Sequence, residues 1–123
     1  MKIILTGTSP TIDSKVDMRF GRGAFLIVVD PDTLEWQAHP NSGVGAMGGA
    51  GALAAQFAAN QKVEAVISGD FGPNAYNALQ AAGIAMYLFG VSATVKEAIE
   101  HFKAGKLERV GGPTNQGHYS RRR

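Results

Sequence analysis

Four short apolar runs constrain the fold of this 123-residue chain most strongly. They span residues 2–8, 24–30, 63–68 and 84–89, and each one lies between turn-forming residues. Apolar runs of this length with turn signals at both ends are typical of buried β-strands. Residues 34–39 instead alternate apolar and polar side chains, which predicts a half-exposed strand hairpinned to the run before it.

Three helical segments alternate with the later strands. Residues 50–60 are predicted to form a helix in which Leu53, Phe57 and several alanines make a small, closely packing face. A second helix is predicted from Pro73 to about residue 82, followed by Gly83 as a C′ residue. A capping box at residues 94–97 begins the third helix, which Gly105 ends.

The order β-β-β-α-β-α-β-α predicts an α/β fold. The two early hairpin links make antiparallel pairs, and the later crossovers make parallel ones. We therefore expect a mixed five-stranded sheet with helices on its faces.

Length and composition limit the class of protein. A chain of 123 residues with 45% apolar residues fits one domain, predicted here as residues 1–110 followed by a flexible basic tail at 111–123. The net charge of +2 depends on the three arginines at 121–123. There is no cysteine, the N-terminus resembles a strand more than a signal peptide, and no apolar run approaches the ~20 residues of a membrane span. We expect a cytoplasmic protein without a membrane partner.

The glycine-rich stretch at residues 41–51 precedes the first helix. Such a loop lets a ligand approach the main chain, and the N–H groups at the start of a helix favour an anion. The string from Gly43 to Gly48 matches G-x-G-x-x-G, but the strand before it is amphipathic and hairpin-bound, which argues against a dinucleotide site. Two interpretations stay open: an anion cradle, which we favour, and glycines needed for tight packing alone.

Two further loops can reach the same sheet edge, at residues 11–23 and 69–72. Arginines in the first suit oxyanions, although this loop taken alone favours a solvated charge pair between Asp17 and Arg19 or Arg22. In the second, capping of the helix by Asp70 and contact with a ligand are equally favoured. The predicted site residues are Asp17, Arg19, Phe20, Gly21, Arg22, Asn41, Gly43, Gly45, Gly48, Gly49, Gly69, Asp70 and Gly72.

The sequence offers little for catalysis or metal ligation. His39, His101 and His118 match no zinc spacing, and no Ser-His-Asp or Cys-His set can be built. The first strand lacks the carboxylates of a metal-dependent nuclease. We therefore predict a protein that is not an enzyme, and we retain His118 in the tail as a candidate metal ligand.

Several motifs together resemble one family. They are Arg19-Phe20-Gly21-Arg22, the glycine run, residues 69–75, Leu79, Gly83-Ile84, residues 94–99 and Gly105-Lys106-Leu107. In order and spacing they resemble the dinitrogenase iron–molybdenum cofactor biosynthesis family, which includes the NifX/NafY-like proteins and the carboxy-terminal domain of NifB. The resemblance covers residues 1–110.

The resemblance implies a ribonuclease-H-like fold and non-catalytic binding of iron–molybdenum cofactor or its iron–sulfur precursor. It also implies partners in a cofactor pathway. Family members commonly carry histidine before Phe-Gly-Arg, where this chain has Arg19. Contact with an anionic cluster, or with an oxyanion such as molybdate or phosphate, would then be electrostatic. The alternatives are a ribonuclease-H-like enzyme and a nucleic-acid or protein interaction module that uses the arginine-rich tail.

Overall fold

A computed structural model gives the fold and describes residues 1–41 and 49–114. Within these ranges the elements are β1 (Ile3–Gly7), β2 (Phe25–Val29), β3 (Trp36–Pro40), α1 (Ala50–Asn60), β4 (Ala65–Ser68), α2 (Pro73–Ala81), β5 (Ala85–Leu88) and α3 (Val95–Lys103). The predicted α/β class and element order are confirmed.

The strands form one mixed sheet in the order β3-β2-β1-β4-β5. β2 pairs antiparallel with both β1 and β3, whereas β4 pairs parallel with β1 and β5. The carboxyl ends of β1, β3, β4 and β5 therefore lie at the same edge of the sheet. Loops that follow these strands can meet there, which is where ligands bind in open α/β sheets. The ribonuclease-H-like assignment stays a prediction.

Helices cover both faces of the sheet. Ile4 and Val66 face α1 and α2 in one core, and Ile3, Leu5 and Ile67 face α3 in the other. The side chains alternate between the cores because successive residues of a strand point to opposite faces.

The inward face of α1 is small and alanine-rich, as predicted, but it does not include Leu53. Its buried residues are alanines at positions 50, 54, 55 and 58, whereas Leu53 is 42% exposed and Phe57 is half-buried. Small side chains bring the α1 backbone close to its neighbours, and Leu53 falls outside this narrow stripe. The expectation that Leu53 packs inward is therefore wrong.

The chain after α3 is held to the body of the fold. The Leu88 N–H donates to the Glu108 carbonyl (3.0 Å), and the Val110 N–H donates to the Met86 carbonyl (2.8 Å), so this segment lines β5. The Tyr76 hydroxyl donates to the Gly111 carbonyl at 3.1 Å. We call residues 108–114 the C-terminal strap. The flexible tail predicted from residue 111 is thus hydrogen-bonded through Thr114, and its remainder, including His118, lies outside the described residues.

Every helix in the described part of the chain falls short of the length and apolar character needed to cross a membrane.

Candidate anion-binding site

Three chain segments enclose a cavity of about 480 Å³ at the carboxyl edge of the sheet. Its described lining consists of residues 19–22 after β1, residues 49–51 at the start of α1, and residues 70 and 72–75 at the start of α2. This cavity joins the three loops that the sequence predicts to lie together. Its size suits a small cofactor.

The cavity walls touch through backbone atoms. A Cβ on Gly21 would lie 2.7 Å from the Gly51 nitrogen and 2.9 Å from the Gly51 Cα. A Cβ on Gly51 would in turn lie 2.9 Å from the Cβ of Ala75 in α2. The three walls can approach this closely only because two of the residues in contact lack side chains.

Replacing Gly21 by alanine is expected to lower the free energy of unfolding by about 1–3 kcal/mol, because the new methyl group would displace the α1 backbone. Urea denaturation measures the change. Gly112→Ala is the matched control, since a Cβ there meets no atom within 4 Å. Equal stability of the two variants would contradict the close backbone packing of the cavity walls.

Two helices begin at the cavity, and within residues 1–41 and 49–114 neither one has a side-chain cap. The N-cap residues are Gly49 for α1, which has φ 72°, and Gly72 for α2. By contrast, α3 is capped, because the Thr94 hydroxyl accepts from the Glu97 N–H at 3.1 Å. The N–H groups in the first turn of each helix have no intrahelical acceptor, and in α2 they begin at Asn74 because Pro73 has none. Both helix dipoles direct their positive ends toward the same space.

The charged residues in the described lining are Arg19, Arg22 and Asp70. Arg19 Nε lies 3.4 Å from Asp17 Oδ1, and the Arg19 side chain is 64% exposed. Because this contact is long and the Arg19 side chain is largely exposed, it holds the guanidinium only weakly. The Arg19 guanidinium therefore remains at the mouth of the cavity as a charge that a ligand can use.

Asp17 and Asn41 hold residues 19–22, which we call the arginine loop, in place through hydrogen bonds. The Asp17 carboxylate is buried and accepts from the backbone N–H groups of Arg19 (3.1 Å) and Ala24 (3.2 Å). The Asn41 amide nitrogen donates to the carbonyls of Phe20 and Gly21, both at 3.1 Å. These contacts fix the path of the loop.

An aromatic pair lies beneath two of the walls. Phe20 and Phe71 are almost fully buried, and their ring centroids are 5.6 Å apart. Phe20 belongs to the arginine loop, and Phe71 directly precedes the start of α2. The pair therefore links the positions of the two walls.

The structure brings most of the predicted site residues together. Arg19, Phe20, Gly21, Arg22, Gly49, Asp70 and Gly72 line the cavity. Asp17, Asn41 and Gly69 lie outside the lining, and Gly69 packs against Met18. Gly43, Gly45 and Gly48 lie outside the described residues. Their roles stay predictions.

Sequence reasoning did not select several residues at the cavity. Ala50, Gly51, Asn74 and Ala75 line it because they occupy the first turns of α1 and α2. The helix starts predicted at residues 50 and 73 could have identified these lining residues. Thr114 also reaches this region, since its hydroxyl donates to Asp70 Oδ1 at 2.8 Å. Nothing in the local sequence indicates that contact.

A larger cavity, of about 690 Å³, lies at the opposite edge of the sheet beside the β2–β3 turn. Lys2, Asp30, Glu35 and Trp36 are among its lining residues. None of the helices in the described part of the chain begins there, so it lacks the converging N–H groups of the smaller cavity. The chemistry therefore favours the smaller cavity as the ligand site.

Direct ligation of a metal has little support in the described ranges. Residues 1–41 and 49–114 contain no group of three His, Cys, Asp or Glu residues that could hold a metal ion. The whole chain lacks cysteine. The cavity instead offers guanidinium groups and backbone N–H groups, which suit an anion. If that anion contains metal ions, the ligands of those ions must belong to the anion and not to the cavity.

Comparisons with known proteins give a matching family model and a relative of similar length. The model of the dinitrogenase iron-molybdenum cofactor family matches residues 1–105. The uncharacterized protein MJ0580 of Methanocaldococcus jannaschii is 30% identical over 112 residues, which cover 89% of this chain and 91% of that protein.

Two solved structures share the fold. The apo form of the orange protein from Desulfovibrio gigas superposes with a TM-score of 0.87 at 36% identity, covering 93% of this chain and 96% of that one. A candidate NifB protein of Thermotoga, from the DUF35 family, gives a TM-score of 0.80 at 29% identity and covers 94% of this chain and 98% of that one. This chain therefore belongs to the dinitrogenase iron–molybdenum cofactor family.

Proposed function

We propose that this protein is a small, non-catalytic binding protein that holds an anionic metal–sulfur cofactor as cargo. The ligand would be iron–molybdenum cofactor or an iron–sulfur precursor of it, bound in the cavity at the carboxyl edge of the sheet. Membership of the family supports a cofactor-binding role. The chemistry of the cavity supports an anionic ligand.

One observation carries the proposal. The starts of α1 and α2, whose glycine N-caps offer no side chain, line the same cavity as Arg19 and Arg22. Backbone N–H groups at a helix start donate to anions, and the helix dipole adds about half a positive charge. Arg19 and Arg22 add charge-assisted donors at the rim. Asp70 offsets one of these charges, so the cavity suits an anion that several donors contact at once.

The donor set also indicates how such a cofactor would be held. Guanidinium and N–H groups contact the sulfur or oxygen atoms of a cluster and leave its metal ions with their own ligands. A cluster held in this way can be released without breaking a metal–protein bond. That property fits a carrier more closely than an enzyme with a resident cluster.

The alternative of a ribonuclease-H-like enzyme has weaker support. Two-metal phosphodiester cleavage requires carboxylates that hold a pair of divalent cations. In the described lining, Asp70 is the only carboxylate, and its Oδ1 accepts from the Thr114 hydroxyl. The arginines beside it favour an anion over a divalent cation.

Anaerobic titration tests the proposal. Isolated iron–molybdenum cofactor added to the full chain is expected to give a saturable change in its absorption spectrum, with micromolar affinity and one site per chain. Molybdate is expected to bind more weakly, as measured by calorimetry, since it spans fewer donors. A cationic metal complex of similar size serves as the control and should not bind. No spectral change with either cofactor or a synthetic iron–sulfur cluster would exclude the metallocluster function.

A further inference from the structure

The C-terminal strap ends against one wall of the cavity. The Thr114 N–H donates to the Phe71 carbonyl at 2.8 Å, and the Phe71 N–H donates to Thr114 Oγ1 at 2.6 Å. Phe71 immediately precedes Gly72, the N-cap of α2. A single strap residue therefore fixes the backbone at the start of a helix that lines the site.

The Thr114 hydroxyl also holds a charged residue of the lining. Its oxygen lies 2.8 Å from Asp70 Oδ1 and 3.2 Å from the Phe71 carbonyl. A hydroxyl has one proton, and the shorter distance favours donation to Asp70. The same oxygen accepts from the Phe71 N–H, so it bridges the carboxylate and the main chain. Serine can form this bridge, whereas valine has the same shape without either bond.

The rest of the strap is attached independently of Thr114. Its other hydrogen bonds join Glu108 and Val110 to β5, and Gly111 to Tyr76 in α2. Removing the Thr114 hydroxyl should therefore loosen the 70–72 loop and leave the strap on β5. A single substitution can therefore remove the side-chain bonds between the strap and the site while the backbone bond from the Thr114 N–H to the Phe71 carbonyl remains.

The hydrogen bonds of the Thr114 hydroxyl also affect the cavity wall at residues 19–22. Phe71 contacts Phe20 with a centroid distance of 5.6 Å, and Phe20 lies between the two arginine-loop residues Arg19 and Gly21. A shift of Phe71 would therefore alter both the start of α2 and the arginine loop, because packed aromatic rings have little free space around them.

We propose that Thr114 is a positioning residue of the anion site, so that ligand binding and attachment of the end of the strap stabilise each other. This inference rests on the proposed function, since it assigns a role within the same cavity. The coupling is reciprocal: if the Thr114 bonds favour the ligand, the ligand must favour those bonds by the same factor.

The first experiment needs no ligand. Backbone amide spectra of Thr114→Val are expected to show shifted resonances for Gly72 and Gly21, and Thr114→Ser should restore the wild-type positions. Tyr76→Phe is the matched control, because it breaks a different strap bond away from the cavity lining. Shifts confined to residues 113–115 in Thr114→Val would overturn the proposal.

The second experiment measures the coupling with molybdate and with isolated iron–molybdenum cofactor. Thr114→Val should bind about fivefold more weakly than wild type, while Thr114→Ser and Tyr76→Phe should bind normally. In the wild type, saturation with ligand should slow hydrogen exchange of the Thr114 amide by a similar factor. With a purely structural role, the ligand would slow exchange at Thr114 no more than at the core amides of β2, which report only its general stabilisation of the fold.

The outcomes separate this inference from the proposed function. Wild-type binding with an equal affinity in Thr114→Val, or with no protection at Thr114 beyond that of the β2 amides, would overturn the role of Thr114 alone. Loss of binding in Tyr76→Phe to the same extent would do so as well, because it would indicate a general loss of stability. Absence of binding by the wild type would overturn both.

Discussion

Alanine at both Arg19 and Arg22 is expected to weaken binding of iron–molybdenum cofactor about 100-fold, or about 2.8 kcal/mol. Both guanidinium groups line the cavity, and each would donate charge-assisted hydrogen bonds to an anionic ligand. Anaerobic spectral titration of the double variant against wild type measures the loss. The single variants should each lose less, since neighbouring contacts to one ligand are not additive.

The control for this prediction is Lys96→Ala, which removes a positive charge from an exposed position in α3, on the other face of the sheet. It should bind with wild-type affinity. Added salt should weaken wild-type binding more than binding by the double variant, because salt screens exposed charges. A double variant that binds like Lys96→Ala would place the ligand elsewhere on the molecule.

Phe71→Ala is expected to lower the free energy of unfolding by about 3–5 kcal/mol, which corresponds to a fall of about 15 °C in Tm. The Phe71 side chain is 0% exposed and packs in the core under the cavity. Its loss removes buried apolar surface and leaves a void between the two walls. Thermal unfolding followed by circular dichroism measures the shift.

Phe71→Leu tests whether volume is the cause. Leucine fills most of the space, so this variant should lose less than about 1.5 kcal/mol. It also lacks a ring to contact Phe20. If the folded Phe71→Leu protein binds the ligand more weakly than wild type does, that loss of affinity would report on the aromatic contact. A change below about 1 kcal/mol in Phe71→Ala would contradict the buried position of this side chain.

The element order could be predicted from the sequence because each element carries a strong local signal. The apolar runs at 24–30 and 63–68 contain β2 and β4, and the helix predicted at 50–60 has the observed bounds of α1. The meeting of three loops followed from the direction of the strands. The direction of each strand could be predicted because hairpins force antiparallel pairs and helical crossovers favour parallel ones.

The contacts that depend on distant residues could not be predicted. Thr114 lies in a Gly- and Pro-rich segment that predicts a flexible tail, and its hydrogen bonds join residues more than 40 positions apart. Leu53 was misplaced for a related reason, since the narrow alanine stripe of α1 is defined by how closely α2 approaches it. Asp17 looked like a solvent-exposed charge, although the folded loop buries its carboxylate.

The backbone contact between Gly21, Gly51 and Ala75 separates the shape of the cavity from its charge. The walls of the cavity meet through main-chain atoms and small residues, whereas the Arg19 side chain lies at the rim and is largely exposed. A different side chain at position 19 would therefore change the charge at the mouth of the cavity and leave the contact between its walls intact. One scaffold could in this way serve ligands of equal size and different chemistry, each selected by a substitution at the rim.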